Sequence, residues 1–153
     1  MKRLFLAAIA VMITAFSVNA QVKIESPHPD LGIKVTRCAY ANGTVVIDML
    51  ITNFGTEERI ISSFRQVSAY DDEGNMYNGS TSKIEMGVTN TGLDNGFDVV
   101  FPQDVPLKFR LQIDKISVNA SKFALLKFGV ESHGSMSLKT DKPIQFRNLE
   151  WAK

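Results

Sequence analysis

The feature that most restricts this chain is the period of its apolar residues, which is two. From Leu107 to Asp114, apolar and polar residues alternate without a fault. A strand sends successive side chains to opposite faces, whereas a helix returns to one face every three or four residues, so this stretch reads as a half-buried strand. Phe97, Val99 and Phe101 alternate around Asp98 and Val100, and Ile84, Met86 and Val88 around Glu85 and Gly87. Val45, Ile47, Met49 and Ile51 share one parity, while Val46 and Leu50 make the other parity half apolar. That strand is expected to be central and covered on both faces.

Turn residues divide these runs. Asn42-Gly43 separates Ile33–Ala41 from Thr44–Asn53. A two-residue hairpin needs positive φ at both central positions, which Asn and Gly accept. Further turns fall at Asn53-Phe54-Gly55, Glu73-Gly74-Asn75, Asn78-Gly79, Asn90-Thr91-Gly92 and Asn95-Gly96. Pro27 and Pro29 follow a first strand, Val22–Glu25, and Pro102 and Pro106 bracket a loop, because proline cannot donate to the ladder of a central strand. More strands are expected at Phe64–Tyr70, Leu126–Val130 and Ile144–Trp151. In the last, Ile144 and Phe146 share one parity and Leu149 and Trp151 the other, which a bulge near Asn148 reconciles. Ser121–Leu126 reads as a single helical turn. Eight or nine short strands with turn signals about every 8–12 residues give an all-β chain, an antiparallel sandwich or barrel. Without an internal repeat or linker, residues 21–153 are expected to form one domain.

Residues before 21 follow a different rule. Lys2 and Arg3 precede a run from Leu4 to Phe16 that is apolar except for Thr14, and Val18-Asn19-Ala20 ends it with small or modest residues. This is the pattern of a secretory signal peptide, and the run is short of the roughly 20 residues a membrane span needs. Cleavage after Ala20 removes two of the 17 basic residues and none of the 16 acidic ones, which turns a net charge of +1 into −1. No Lys/Arg cluster remains, so no nucleic-acid partner is expected. No membrane insertion is expected after cleavage, and the location is periplasmic or secreted. The lone Cys38 lies too far inside to be a lipidated first residue and lacks a disulfide partner. It reads as a small buried hydrophobe in a strand.

The chemistry-bearing residues are few. His28 and His133 both lie among turn residues, and His133 beside Ser135 is no nucleophile elbow, so no catalytic residue is assigned and the chain is not read as an enzyme. Two His and one Cys without HExxH or CxxC spacing assign neither a metal site nor a cofactor. Asp71-Asp72-Glu73-Gly74-Asn75 offers oxygens to a hard cation, but it lacks the alternate ligands of an EF-hand and reads as a solvated hairpin turn. Tyr40, Tyr70, Tyr77 and Trp151 are the candidate ligand contacts, since an exposed ring can stack on a sugar; packed rings are the alternative. The sequons at Asn42, Asn78 and Asn119 read as turn chemistry.

A strand ending in Leu50-Ile51-Thr52-Asn53, a later Val67-Ser68-Ala69-Tyr70-Asp71 running into Asp72-Glu73-Gly74-Asn75-Met76-Tyr77, a proline-bracketed loop and the Phe109-Arg110-Leu111 strand together carry a resemblance. Over roughly residues 30–150, the chain resembles the immunoglobulin-like domain of small exported bacterial proteins, a type that includes the mycobacterial immunoprotective extracellular antigen. The resemblance implies an immunoglobulin-like antiparallel β-sandwich without enzymatic activity, and it carries no functional residues. The expected role is a non-enzymatic interaction or accessory module that contacts a protein partner or a glycan. A carbohydrate-binding module is the alternative, and a small hydrolase or protease inhibitor the third. The turn-rich segment Asn75–Gly96 is the preferred contact region. The leader makes one direct prediction: mass spectrometry of the exported protein should find Gln21 as its first residue, and an intact Met1–Ala20 segment would contradict it.

Overall fold

The computed structural model describes residues 22–56, 59–88, 99–132 and 142–153. The expected leader, Phe97, the turns at Asn90–Gly92 and Asn95–Gly96, and His133 with Ser135 lie outside the described residues. Ten strands are present among those described: β1 Lys23–Glu25, β2 Leu31–Ala41, β3 Thr44–Asn53, β4 Arg59–Asp71, β5 Met76–Asn78, β6 Ile84–Val88, β7 Val99–Phe101, β8 Pro106–Ile113, β9 Lys122–Ser132 and β10 Ile144–Glu150. They form two antiparallel sheets in a sandwich-like arrangement. One has the order β1-β10-β9-β4-β5, with β7 also on β4, and the other the order β2-β3-β8-β6. No helix occurs among the described residues.

The alternation sets the core. On β3, Val45, Ile47, Met49 and Ile51 are buried, and on β8, Phe109, Leu111 and Ile113. These rows face Phe123, Leu126, Phe128 and Phe146 of β9 and β10 in the same buried cluster. Phe101 of β7 stacks on Phe109 of β8 with centroids 5.5 Å apart, which joins the two sheets near one end. Fully burying one such ring stabilises by about 1.5–3 kcal/mol, so these rows supply the favourable energy a chain without disulfides must find in its core. β3 is central in its sheet, between β2 and β8. Its second face, however, is half-buried rather than covered. Among the described residues only one layer packs on this sheet, and the outer face carries a charge ladder instead. Asp48 takes two hydrogen bonds from Arg110, at 2.7 and 3.1 Å, with Arg37 at 3.9 Å on its other side.

The helical turn expected at Ser121–Leu126 is not formed, because Lys122–Leu126 belong to β9. Phe123 and Leu126 are both buried and three apart, a spacing that imitates a helix. Its source is a break in the ladder. Against β4, β9 holds one extra residue between Phe123 and Leu125. Ala124 and Asn148 both drop out of the β9–β10 pairing, although the register on either side is unbroken. Asn148 sits at φ 53°. Both strands therefore change inward parity at one level, which brings Phe123, Leu149 and Trp151 to the face already occupied by Leu126, Phe128, Ile144 and Phe146.

The remaining boundaries differ for local reasons. β5 was not expected, as three residues between turns leave no period to read. Pro106 does enter the internal strand β8, but only as its first residue, where a missing N–H is tolerated. The β2 edge is guarded at both ends. Phe54, though 61% exposed, lies over Gly32, where a Cβ would collide with its ring. Farther along, Ala152 pairs with the edge: Tyr40 donates its N–H to the Ala152 carbonyl at 2.8 Å, and Ala152 donates to Cys38 at 3.1 Å. An open edge would be a template for another strand.

The Asn42-Gly43 hairpin forms with φ of 51° and 80°. A Cβ at Gly43 would approach nothing closer than the Ile116 carbonyl at 4.0 Å, so the cost of adding one is conformational. Gly43→Ala should lower stability by about 1–2 kcal/mol, the penalty of a left-handed L-residue, in urea denaturation. An unchanged midpoint would mean that the turn does not hold this geometry.

Candidate functional site

Three connections meet at the end of the sandwich where β4 passes into β5. The first is the β4–β5 turn, whose anchor is Asp71. Its side chain is buried, and both oxygens accept hydrogen bonds. Oδ1 takes the backbone N–H groups of Glu73 at 2.9 Å and Asn75 at 2.8 Å; Oδ2 takes the Asn75 amide at 2.8 Å and the Tyr77 hydroxyl at 2.7 Å. A short carboxylate at the start of a turn can satisfy the donors that the turn exposes, which is why Asp suits this position. Tyr77 then links the turn to the second connection, β8–β9, since its oxygen accepts the Ser117 N–H at 3.1 Å. Asp72 makes a parallel link. It accepts the Ser121 N–H at 3.0 Å and the Ser121 hydroxyl at 2.5 Å. The third connection, β5–β6, is closed by Asn78, whose side chain accepts the N–H groups of Ser80 and Thr81 at 2.9 and 3.1 Å.

Ionisation follows from these bonds. Burial alone raises the Asp71 carboxyl, but the hydrogen bonds from Asn75, Tyr77 and the backbone outweigh it and hold the group below its ordinary value. Asp72 is lowered in the same way, with Ser121 and backbone donors overcoming burial. The Tyr77 hydroxyl is pushed up to about 12, first by burial and then by the adjacent Asp71 charge, against a lowering by the Ser117 N–H. The acidic turn is thus not a merely solvated one. Donors fill the Asp71 oxygens, so that carboxylate serves the fold. Among the described residues, no group of three or more His, Cys, Asp or Glu side chains converges on a metal position.

Between the three connections lies an open groove of about 410 Å³, lined by Glu73, Asn75, Met76, Tyr77, Thr81, Ser82, Lys115 and Ser117. Glu73, Met76 and Lys115 are exposed, Tyr77 and Ser82 buried. The groove contains the first part of the Asn75–Gly96 region. The acidic turn adds Glu73, but nothing in the sequence marks Lys115 or Ser117. They arrive only because the chain crosses from one sheet to the other after β8 and passes beside β5.

The four aromatic candidates do not form one site. Tyr40 and Trp151 are nearly parallel, with centroids 6.4 Å apart, yet Trp151 is buried and its other contact is an edge-to-face one with Phe123. Tyr77 is 5% exposed and packs its ring on Phe123 at 6.3 Å. Tyr70 stands apart, half-buried, with the Lys127 ammonium 6.0 Å from its ring centre. The Lys153 ammonium stands 5.9 Å from the Tyr40 ring centre. Cys38 packs against the core from β2, and burial pushes its thiol up to about 12, which removes the thiolate needed for reactivity at neutral pH. His28 is buried in the turn before β2.

No family model, curated protein or solved structure matches the chain.

The Asp71–Tyr77–Ser117 link generates a stability prediction. Tyr77→Phe removes one of the two donors to Asp71 Oδ2 and leaves the Ser117 N–H without its partner, and should cost about 1–3 kcal/mol. Because Asp71 is lowered on folding, its contribution is complete above its unfolded value near 3.8 and is lost as pH falls through the lower folded value. Acid unfolding of Asp71→Asn should therefore be shallower than that of the parent chain below that pH. Superimposable acid limbs would show that Asp71 does not carry the link.

Proposed function

We propose that this chain is an exported, non-enzymatic interaction or accessory module with an immunoglobulin-like sandwich. It works in the bacterial envelope or outside the cell, and its contact surface is the loop end around the groove. The leader pattern supports export, and the two face-to-face antiparallel sheets support the immunoglobulin-like reading. The observation that carries the contact surface is the groove itself, with charged and hydroxyl side chains above a hydrogen-bonded floor. Binding loops work best when a rigid scaffold fixes them, since less ordering entropy is then lost on contact. Here Asp71, Tyr77 and Asp72 tie the three connections together, and Met76 stands exposed at the rim.

Placement of a photo-crosslinking residue tests this surface. Met76 and Val100 are similarly exposed, at 46% and 48%, but lie on strands paired to opposite ends of β4. In cells of the native host, a crosslinker at Met76 should give one discrete protein adduct, and the same group at Val100 should not. Equal labelling at both positions, or none at Met76, would refute the loop end as the contact surface. A polysaccharide adduct at Met76 would move the partner class to glycans.

A further inference from the structure

The outer face of the β2-β3-β8-β6 sheet gathers cations that the sequence scatters. Residues directly opposite across a ladder share a face, so Lys34, Leu50 and Lys108 form one row and Arg37, Asp48 and Arg110 the next. A bulge between Val35 and Arg37 makes this possible. Lys34 and Arg37 are three apart, and in a regular strand they would point to opposite faces. Two rows thus hold four basic residues against one acid, a larger surplus than the +1 of the whole chain. Asp48 is already engaged by its two hydrogen bonds from Arg110. Lys34 and Lys108 are exposed and make no ion pair with a described residue, and the Arg37 side chain is 62% exposed.

An apolar group stands beside these charges. The neighbouring row is Gly32, Thr52 and Pro106, about 7 Å along the strands from the lysines. The exposed Phe54 ring lies over Gly32 on this same face. Leu50, half-buried, sits between the two lysines. Asp30 and Asp104 lie in the loops beyond the Gly32 row, so it is the sheet face, and not the strand end, that presents the cations.

Four cations call for a polyanion. Lys34 and Lys108 stand two strands, or about 10 Å, apart, so one small anion cannot engage both. Single-stranded nucleic acid draws its affinity from successive bases on several rings, and Phe54 is the one ring beside these rows. An anionic bilayer meets both demands over a plane, with headgroup phosphates for the cations and the acyl boundary for the ring. Lysine stems lie along apolar surface while their ammoniums reach the phosphates.

We propose that this face docks peripherally on an anionic phospholipid bilayer, with Lys34, Arg37 and Lys108 at the phosphates and Phe54 at the interface. The groove lies elsewhere, since its Lys115 follows the far end of β8, so the two surfaces stand or fall separately. Co-sedimentation of the chain recovered after export tests the proposal. The vesicles are pure phosphatidylcholine or an equimolar mixture with phosphatidylglycerol. The chain should bind the mixed vesicles alone, and added salt should release it. Each basic residue at such a surface is worth about fivefold, so Lys34→Gln with Lys108→Gln should weaken binding about 25-fold at an unchanged thermal midpoint. Phe54→Ser should weaken it about tenfold, as partial burial of a ring is lost. Lys115→Gln with Lys153→Gln removes the same charge elsewhere and should change binding by less than about twofold. No binding to mixed vesicles, equal binding to both kinds, or equal losses from the two lysine pairs would overturn the proposal. Binding of polyglutamate or oligothymidylate through Lys34 and Lys108, without vesicle binding, would assign the face to an acidic polymer and overturn it as well.

Discussion

The packing of one inward row against another governs this molecule. Val45, Ile47, Met49 and Ile51 from β3, with Phe109, Leu111 and Ile113 from β8, meet phenylalanines from β7, β9 and β10. Each row exists because alternate residues of a strand share a face. No disulfide can supplement this burial, as Cys38 is the chain's one cysteine. Any slip of one residue in β3 or β8 would carry the whole row to the outer face and put Asp48 and Arg110 inside. The Asp48–Arg110 pair, directly opposite in the ladder, fixes the same register from outside. Partly exposed ion pairs contribute little energy, so its value here lies in discriminating one register from another.

The parity change at Ala124 and Asn148 shows how one irregularity enlarges that core. A regular β9–β10 pair would present Leu126, Phe128, Ile144 and Phe146 inward and send Phe123, Leu149 and Trp151 to solvent. The paired interruption admits all seven to the same side. Trp151 then reaches Tyr40 of the other sheet, and the chain continues so that Ala152 closes the β2 edge. The C-terminal residues thus fasten the two layers together at the end that also carries the groove.

That end is organised by buried polar groups. Asp71 lies at the last position of β4 and Tyr77 on β5, and their bond draws the turn between them onto the β8–β9 connection through Ser117. Donors on both oxygens of Asp71 offset the cost of burying its charge, while Glu73 and Lys115 of the groove stay exposed and make no ion pair with a described residue. Within the acidic turn, the Asp71 and Asp72 carboxylates build the fold, whereas the Glu73 side chain stays exposed.

The amino-acid order alone determined the all-β character, most strand positions, the Asn42-Gly43 hairpin and the irregularity at Asn148. Each of these is local, set by the two-residue period or by the φ that a turn requires. It also marked Asp71–Asn75 and the region after it. Other features lay outside its reach. Phe123 and Leu126 carried a helical spacing because the bulge responsible for it is defined against β4, a strand distant in the chain. The outer face of β3 looked destined for burial, since nothing in the sequence announces that Val46 and Leu50 will be only half-buried among the described residues. Tyr77 and Trp151 read as possible contact rings, and only the packing of two sheets consigns them to the interior. Lys115 and Ser117 joined the groove because a crossover brought them beside β5. Periodicity reports which residues share a face; which faces meet, and which charges find no partner once they have met, is decided by long-range packing.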